Sequence, residues 1–332
     1  MRIFFAGDYY SGTGPANVTK YYIENLPAGT LFQKSRGKIS RIPEIVVNTI
    51  RSDVSVYSGY SRQNVFGMKL AKWLKKPTVY IMHGCVEYEN SINLEPDEKM
   101  NRVERKTLEL SDLVIAVSKS FCEWLKLYYP MFSHKFDYVT NGIDSGLLGL
   151  KTDHDEAADH TVFTIGGGMP RKKIRYICAA VNKLRRTYDP KLGLCVIGAK
   201  GADSEEIDSY DFVDNRGIVP FDEAVDLFRR ASLFVQNSSF ETFGLAPVEA
   251  LLCGCPILCS KNVGALEIIN GLRSEDIIEN CEDTDEIAEK IRYNLEHSNV
   301  ERLIAGLYGE SNTWKERSRA LESKLLKLVQ KK

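Results

Sequence analysis

The sequence predicts an α/β protein made of two parallel-sheet domains, and three observations carry that expectation. Short apolar runs alternate with helical stretches along the whole chain, the pattern of parallel strands joined by crossover helices. A length of 332 residues suits two ordinary cores, and roughly 75% of the unfolded surface can then be buried without help from disulfides or metal. Between the halves, Lys151-Thr-Asp-His-Asp-Glu-Ala-Ala-Asp-His160 is polar, acidic and without apolar period, as a linker should be.

In chain order, the first half offers strands at Arg2–Ala6, Asp53–Tyr57, Thr78–His83, Leu113–Val117 and Phe136–Thr140. The second half offers Val162–Gly166, Leu192–Gly198, Leu233–Gln236 and Pro256–Ser260, with Val213 to Phe221 read as a loop. The expected domains are residues 1–151 and 161–311. A final helix, 312–332, has a narrow apolar stripe at Trp314, Leu321, Leu325 and Leu328 and is expected to pack back on the first domain.

Composition excludes several classes. With 43% apolar and 27% charged residues and a net charge of −1, the chain reads as soluble and globular. No run of 18 apolar residues exists, and Met1-Arg-Ile-Phe-Phe enters a strand directly, so neither a membrane span nor a signal peptide is expected. The eight cysteines are scattered, mostly in apolar runs, and Cys253-x-Cys255-x3-Cys259 lacks zinc-site spacing. Buried reduced thiols, and hence the cytoplasm, are expected.

The most informative run is Asn237-Ser-Ser-Phe-Glu241-Thr-Phe243-Gly244-Leu245-Ala-Pro247-Val-Glu249. A strand, a small polar loop and a helix opened near Pro247 present unpaired N–H groups suited to a phosphate. Glu241 in the loop and Glu249 in the helix flank that point, and an ionised carboxylate can accept two O–H bonds at once. The ligand implied is a sugar joined to a diphosphate and a ribose. Glu249 lies among Val248, Ala250, Leu251 and Leu252, where a carboxylate needs a partner. A second loop, Gly166-Gly167-Gly168-Met-Pro-Arg171-Lys172-Lys173, combines glycines that admit a diphosphate with three cations that neutralise it. Near the front, Gly7-Asp-Tyr-Tyr-Ser-Gly12-Thr-Gly14-Pro15 links a strand to a helix. Its glycines do not fit the dinucleotide fingerprint, so a nicotinamide cofactor is excluded.

With Gly254-Cys-Pro256 and Gly264-Ala-Leu-Glu267 following, the two glutamates with seven residues between them resemble the signature of the family 4 retaining glycosyltransferases of the GT-B fold. The resemblance covers most of both halves. It implies two Rossmann-like domains with a cleft between them, a nucleotide-sugar donor on the second and an acceptor on the first. By that resemblance Glu249 takes the ribose, the Phe243, Gly244 and Leu245 amides and Lys172 take the diphosphate, and Glu241 takes the sugar. His83, closing Tyr80-Ile-Met-His83, falls near sugar and acceptor, and Gly12 and Gly14 line the first-domain loop. The family arginine is absent at Gly167, leaving Arg171 or Lys173 to supply the second charge. The implied reaction is metal-independent transfer with retention, with no cofactor beyond the donor, in glycan or polysaccharide assembly. The pairs Asp153/Asp155 and Asp283/Asp285 have the spacing of a metal motif but are read as solvated. Two other readings are a non-enzymatic nucleotide-binding partner subunit and a nucleotide-sugar epimerase.

Charge bears on the acceptor. Between Lys20 and Lys76, eleven cations face three carboxylates, and the 62–76 region mixes Phe66 and Trp73 with four lysines. Such a helix suits anionic headgroups at the inner face of a membrane, and hence a lipid-linked acceptor, as well as it suits a solvated core helix. No nucleic-acid motif accompanies it.

Overall fold

The structure, a computed structural model, describes residues 1–37, 39–144, 146, 159–307 and 312–331. Most of the expected linker, with Asp153 and Asp155, lies outside the described residues. The chain forms two compact units: Met1–Tyr88, Pro96–Ile143 and Glu310–Lys332 in one, Glu89–Glu95 and Asp144–Gly309 in the other.

The first unit runs β1 (Ile3–Gly7), α1 (Gly14–Asn25), β2 (Leu31–Phe32), α2 (Arg41–Arg51), β3 (Val54–Ser58), α3 (Arg62–Trp73), β4 (Thr78–Met82), the start of α4 (Val86–Ile92, which passes into the second unit at Glu89), α5 (Glu98–Leu110), β5 (Leu113–Ala116), α6 (Lys119–Tyr128) and β6 (Phe136–Tyr138). Its sheet is wholly parallel in the order β2-β1-β3-β4-β5-β6. Strands β1, β3 and β4 are buried on both faces, and β1 and β4 accordingly read as nearly continuous apolar runs, while β3 buries Ser55 and Ser58 as well. Side-chain caps define the helix starts: Ser61 accepts from Asn64 N, and Ser118 from Phe121 N, each at 3.0 Å.

The second unit runs β7 (Asp159–Ile165), α7 (Ile174–Thr187), β8 (Gly193–Ile197), α8 (Ser204–Asp208), β9 (Val213–Gly217), α9 (Phe221–Arg230), β10 (Ala231–Gln236), α10 (Ala246–Leu252), β11 (Ile257–Ser260), β12 (Ile277–Ile278), α11 (Thr284–Glu296) and α12 (Val300–Leu307). Its sheet is again parallel, ordered β12-β11-β10-β7-β8-β9. Val162, Leu194, Val235 and Leu258 pack one face against Ile177, Val181, Leu184 and Ile291 of α7 and α11.

The loop expected at Val213–Phe221 is half wrong, because Val213–Gly217 pairs with β8 as an edge strand. Asp214 and Arg216 bind each other at 2.7 Å, so this edge carries charge where inner strands carry apolar side chains. Two-residue β2 and β12 are too short to leave a period in the sequence.

The last helix, α13 (Trp314–Gln330), belongs to the first unit. Trp314 is buried and stacks on Tyr21 with ring centroids 4.8 Å apart. Ile143 N donates to Asn312 O at 2.8 Å, and Arg317 to Thr140 Oγ1 at 2.9 Å. Gly142 explains itself here: a Cβ would lie 2.6 Å from Trp314 Cα. No described helix is long and apolar enough to cross a membrane. All eight cysteines are free thiols, seven of them buried.

Candidate functional site

The site in the second unit grows from the end of β10. Gln236 is buried, and the chain then turns through Asn237–Leu245 before α10, whose first turn holds Pro247. The loop is pinned by the segment after β11. Glu241 N donates to Asn262 O at 3.3 Å, Gly264 N to Glu241 O at 3.0 Å and Ala265 N to Phe243 O at 2.7 Å. The turn needs its glycine: Gly244 has φ +80°, and a Cβ would sit 2.9 Å from Glu241 Cγ. Phe243 anchors the loop in the core. The N–H groups of Phe243, Gly244 and Leu245 donate to nothing among the described residues, leaving three adjacent donors at one point.

The loop after β7 meets this one. Lys172 Nζ pairs with Glu241, and Arg171 reaches Glu241 Oε2 at 3.3 Å and Phe240 O at 3.2 Å. Arg171 also lies 3.7 Å from Glu89, which belongs to the same unit. Lys173 turns away: with φ +50° it sends Nζ to Glu282 at 2.5 Å. Of the two candidates for the missing charge, Arg171 therefore joins Lys172, and Lys173 does not. Gly167 has no room for any side chain, since a Cβ would lie 2.0 Å from Ala199 O at a φ of +55°.

Electrostatics separate the two glutamates. Burial raises the Glu241 carboxyl, but Lys172 and Arg171 outweigh burial and hold it down at about 2. Burial draws the Lys172 ammonium below its ordinary range, with Glu241 opposing. The Glu249 side chain makes no hydrogen bond or ion pair among the described residues; burial first, and the charge of Asp144 second, push its carboxyl up to about 7. Glu241 is thus an ionised carboxylate whose Oε2 takes both cations. Glu249 is a carboxyl group raised by burial, with no side-chain partner among the described residues.

Several residues of this cluster escaped the sequence. Gln236 Nε2 approaches Glu241 Oε2 at 3.4 Å. Ser239 binds Arg171 O through N at 2.8 Å and Oγ at 3.1 Å, and Asn237 Nδ2 donates to Cys281 O at 2.8 Å. A polar run at a strand end was the available signal. Asp283 caps α11 by accepting from Asp285 N at 2.9 Å and Glu286 N at 3.0 Å.

The first unit holds the remaining candidates. Gly12 has φ +73°, and both Gly12 and Gly14 face open space; Thr13 between them caps α1. His83 follows β4, and its Nε2 lies 2.8 Å from Ser58 Oγ. Burial pushes the imidazole down to about 4, so it is neutral near pH 7.

Two family models match the chain: Glycosyl transferases group 1 over residues 152–317 and Glycosyltransferase Family 4 over residues 5–147. It is 27% identical over 237 residues to the D-inositol 3-phosphate glycosyltransferase of Segniliparus rotundus, covering 64% of this chain and 52% of that protein. It is 29% identical over 231 residues to O-antigen chain mannosyltransferase B of Escherichia coli, covering 64% and 58%. The chain thus matches between half and three-fifths of the length of these relatives. Among solved structures, a glycosyltransferase of Rickettsia africae superposes with a TM-score of 0.67 at 14% identity, covering 99% of this chain and 98% of that one. Anabaena HepE bound to UDP and glucose gives 0.62 at 16%, covering 100% and 98%. The paired glutamates, the two parallel sheets and these matches agree, and the chain belongs to the group 1 glycosyl transferases, in their family 4, GT-B form.

Proposed function

We propose that the protein transfers a sugar from a nucleotide-sugar donor to a hydroxyl acceptor, with retention and without a metal ion. The observation that carries this reading is the meeting of Arg171, Lys172 and Glu241 beside three unused N–H groups. A departing diphosphate develops negative charge, and fixed cations with N–H donors stabilise that charge without reorganising. Arg171 and Lys172 supply the cations that a metal supplies elsewhere. The Phe243–Leu245 amides hold phosphate oxygens, Glu249 accepts from the ribose hydroxyls, and Glu241 orients the sugar through its Oε1. In the first unit, His83 and the Gly12–Gly14 loop serve the acceptor side.

Peripheral contact with an anionic membrane, and with it a lipid-linked acceptor in cytoplasmic glycan assembly, is the finer part of the proposal. It is supported by the exposed side of α3, where Trp73 is 78% exposed and Phe66 43%, among Lys69, Lys72 and Lys75. Met68 and Ala71, by contrast, are core residues. Sedimentation with anionic vesicles at low salt tests it; recovery of all the protein in the supernatant would remove it.

The deciding experiment is release of free nucleoside diphosphate from UDP-, GDP- and ADP-sugars in EDTA. Turnover of one donor, lost in Glu241→Ala, is expected. The absence of both turnover and calorimetric binding with every donor would overturn the transferase reading.

A further inference from the structure

Arg171 is held by its main chain as well as by its side chain. It stands second in the 3-10 turn Pro170–Lys172, where an N–H group finds no carbonyl within the turn itself. Asn93 supplies the acceptor: Arg171 N donates to Asn93 Oδ1 at 3.3 Å, and a donor there settles which end of the amide faces it. On its other side Arg171 O accepts from Ser239 N at 2.8 Å and from Ser239 Oγ at 3.1 Å. With the backbone fixed, the guanidinium is aimed. Nη1 donates to Phe240 O at 3.2 Å and to Glu241 Oε2 at 3.3 Å. Nε is buried and makes no hydrogen bond, since Glu89 Oε2 stands 3.7 Å away, beyond bonding range. Nη2 likewise donates to nothing among the described residues.

A strained turn places Asn93. Leu94 N donates to Ser91 O at 3.4 Å and Glu95 N to Asn90 O at 3.0 Å, the pair of bonds that closes a helix through a left-handed residue. Glycine is the usual occupant of that position, but here it is Leu94, at φ +61°. The Leu94 side chain is 71% exposed, so its own packing does not offset the strain. What the turn achieves is to set the preceding residue, Asn93, against the 3-10 turn. Both belong to the same unit, because Glu89–Glu95 groups with the second sheet.

We propose that Asn93 is a positioning residue: by holding Arg171 N it keeps the guanidinium turned so that Nε–H and Nη2–H form a fork for two oxygens of a nucleoside diphosphate. Two-point recognition of this kind belongs to a planar guanidinium and is not available to a lysine. The ligand named here rests on the donor reading above; the holding of Arg171 does not.

Calorimetry with UDP, GDP and ADP tests the inference without any turnover. At least one of them should bind the unsubstituted protein. Asn93→Leu, similar in size but without the acceptor, should weaken that binding about tenfold with unchanged thermal unfolding. Asn93→Asp, which keeps an acceptor oxygen, should bring it back to within about threefold. In an Arg171→Lys background, where the charge remains but the fork is gone, Asn93→Leu should have no further effect. Undiminished binding in Asn93→Leu, or the same loss in both backgrounds, would overturn the positioning role. No binding of any of the three by the unsubstituted protein would overturn the fork. The inference is read from binding and the transferase reading from turnover lost in Glu241→Ala, so either can fail while the other stands.

Discussion

Each unit places a glycine-rich loop directly after its own first strand, and the two loops use glycine for opposite reasons. After β1, Gly12 and Gly14 have nothing within 4 Å of where a Cβ would lie, and the loop is exposed. After β7, a Cβ on Gly166 would strike Lys172 Cγ at 2.4 Å, on Gly167 Ala199 O at 2.0 Å, and on Gly168 Ser204 Oγ at 2.1 Å. The first loop has glycine where space is free, so the space itself is what it supplies. The second has glycine because two backbone segments touch, and that contact fixes the root of Arg171 and Lys172. One loop leaves space open, and the other is held still.

Substitution should separate them sharply. Gly167→Ala combines a left-handed φ with a backbone overlap and should cost about 4 kcal/mol or more, read as a lowered denaturant midpoint. Equal stability of Gly167→Ala and the parent protein would erase the contrast. Within the rigid loop, neighbouring cations should differ almost as much. Lys172→Met should lower donor turnover by about 10²–10³, the range for a lost charge-stabilising group, while Lys173→Met, whose charge sits on Glu282, should stay within about threefold. Comparable losses would mean that Lys173 swings back toward the donor.

The two glutamates sharpen the same point. A carboxyl raised to about 7 in the folded chain binds its proton more tightly there than when unfolded. Its contribution is present in full below the ordinary carboxylate range and is lost as pH rises through about 7. Glu249→Gln should therefore stabilise the unliganded protein by about 2 kcal/mol at pH 8 and by little at pH 5, while weakening donor binding. A stability gain that does not depend on pH would mean that Glu249 is already satisfied. Smallest of all, Gly14→Ala should change stability by no more than about 0.5 kcal/mol and Gly12→Ala by about 1 kcal/mol, the latter for its φ alone.

The fold was legible where burial is two-sided. Strands such as β1, β4 and β10 are buried along nearly their whole length and so read as short, mostly apolar runs. The edge strand β9, Val-Asp-Asn-Arg-Gly, escaped because an edge invites charge, and its polar residues resemble those of a turn. For the site, spacing brought Glu241 and Lys172 forward, and they do lie together. Spacing could not divide Arg171 from Lys173. Consecutive residues differ in direction only through backbone angles, and the positive φ of Lys173 leaves no mark on the sequence. Gln236 went unseen for a related reason, since a common polar side chain acquires meaning only from neighbours brought close by the fold.

The stacking of Trp314 on Tyr21 sets an order in time. The first unit begins at Met1 and is completed by α13, with all of β7 to α12 translated in between. Tyr21, together with Tyr22, must wait through that synthesis for the indole that covers them. Until the ribosome has delivered the second unit the first keeps an open seam, and it closes only once α13 has followed.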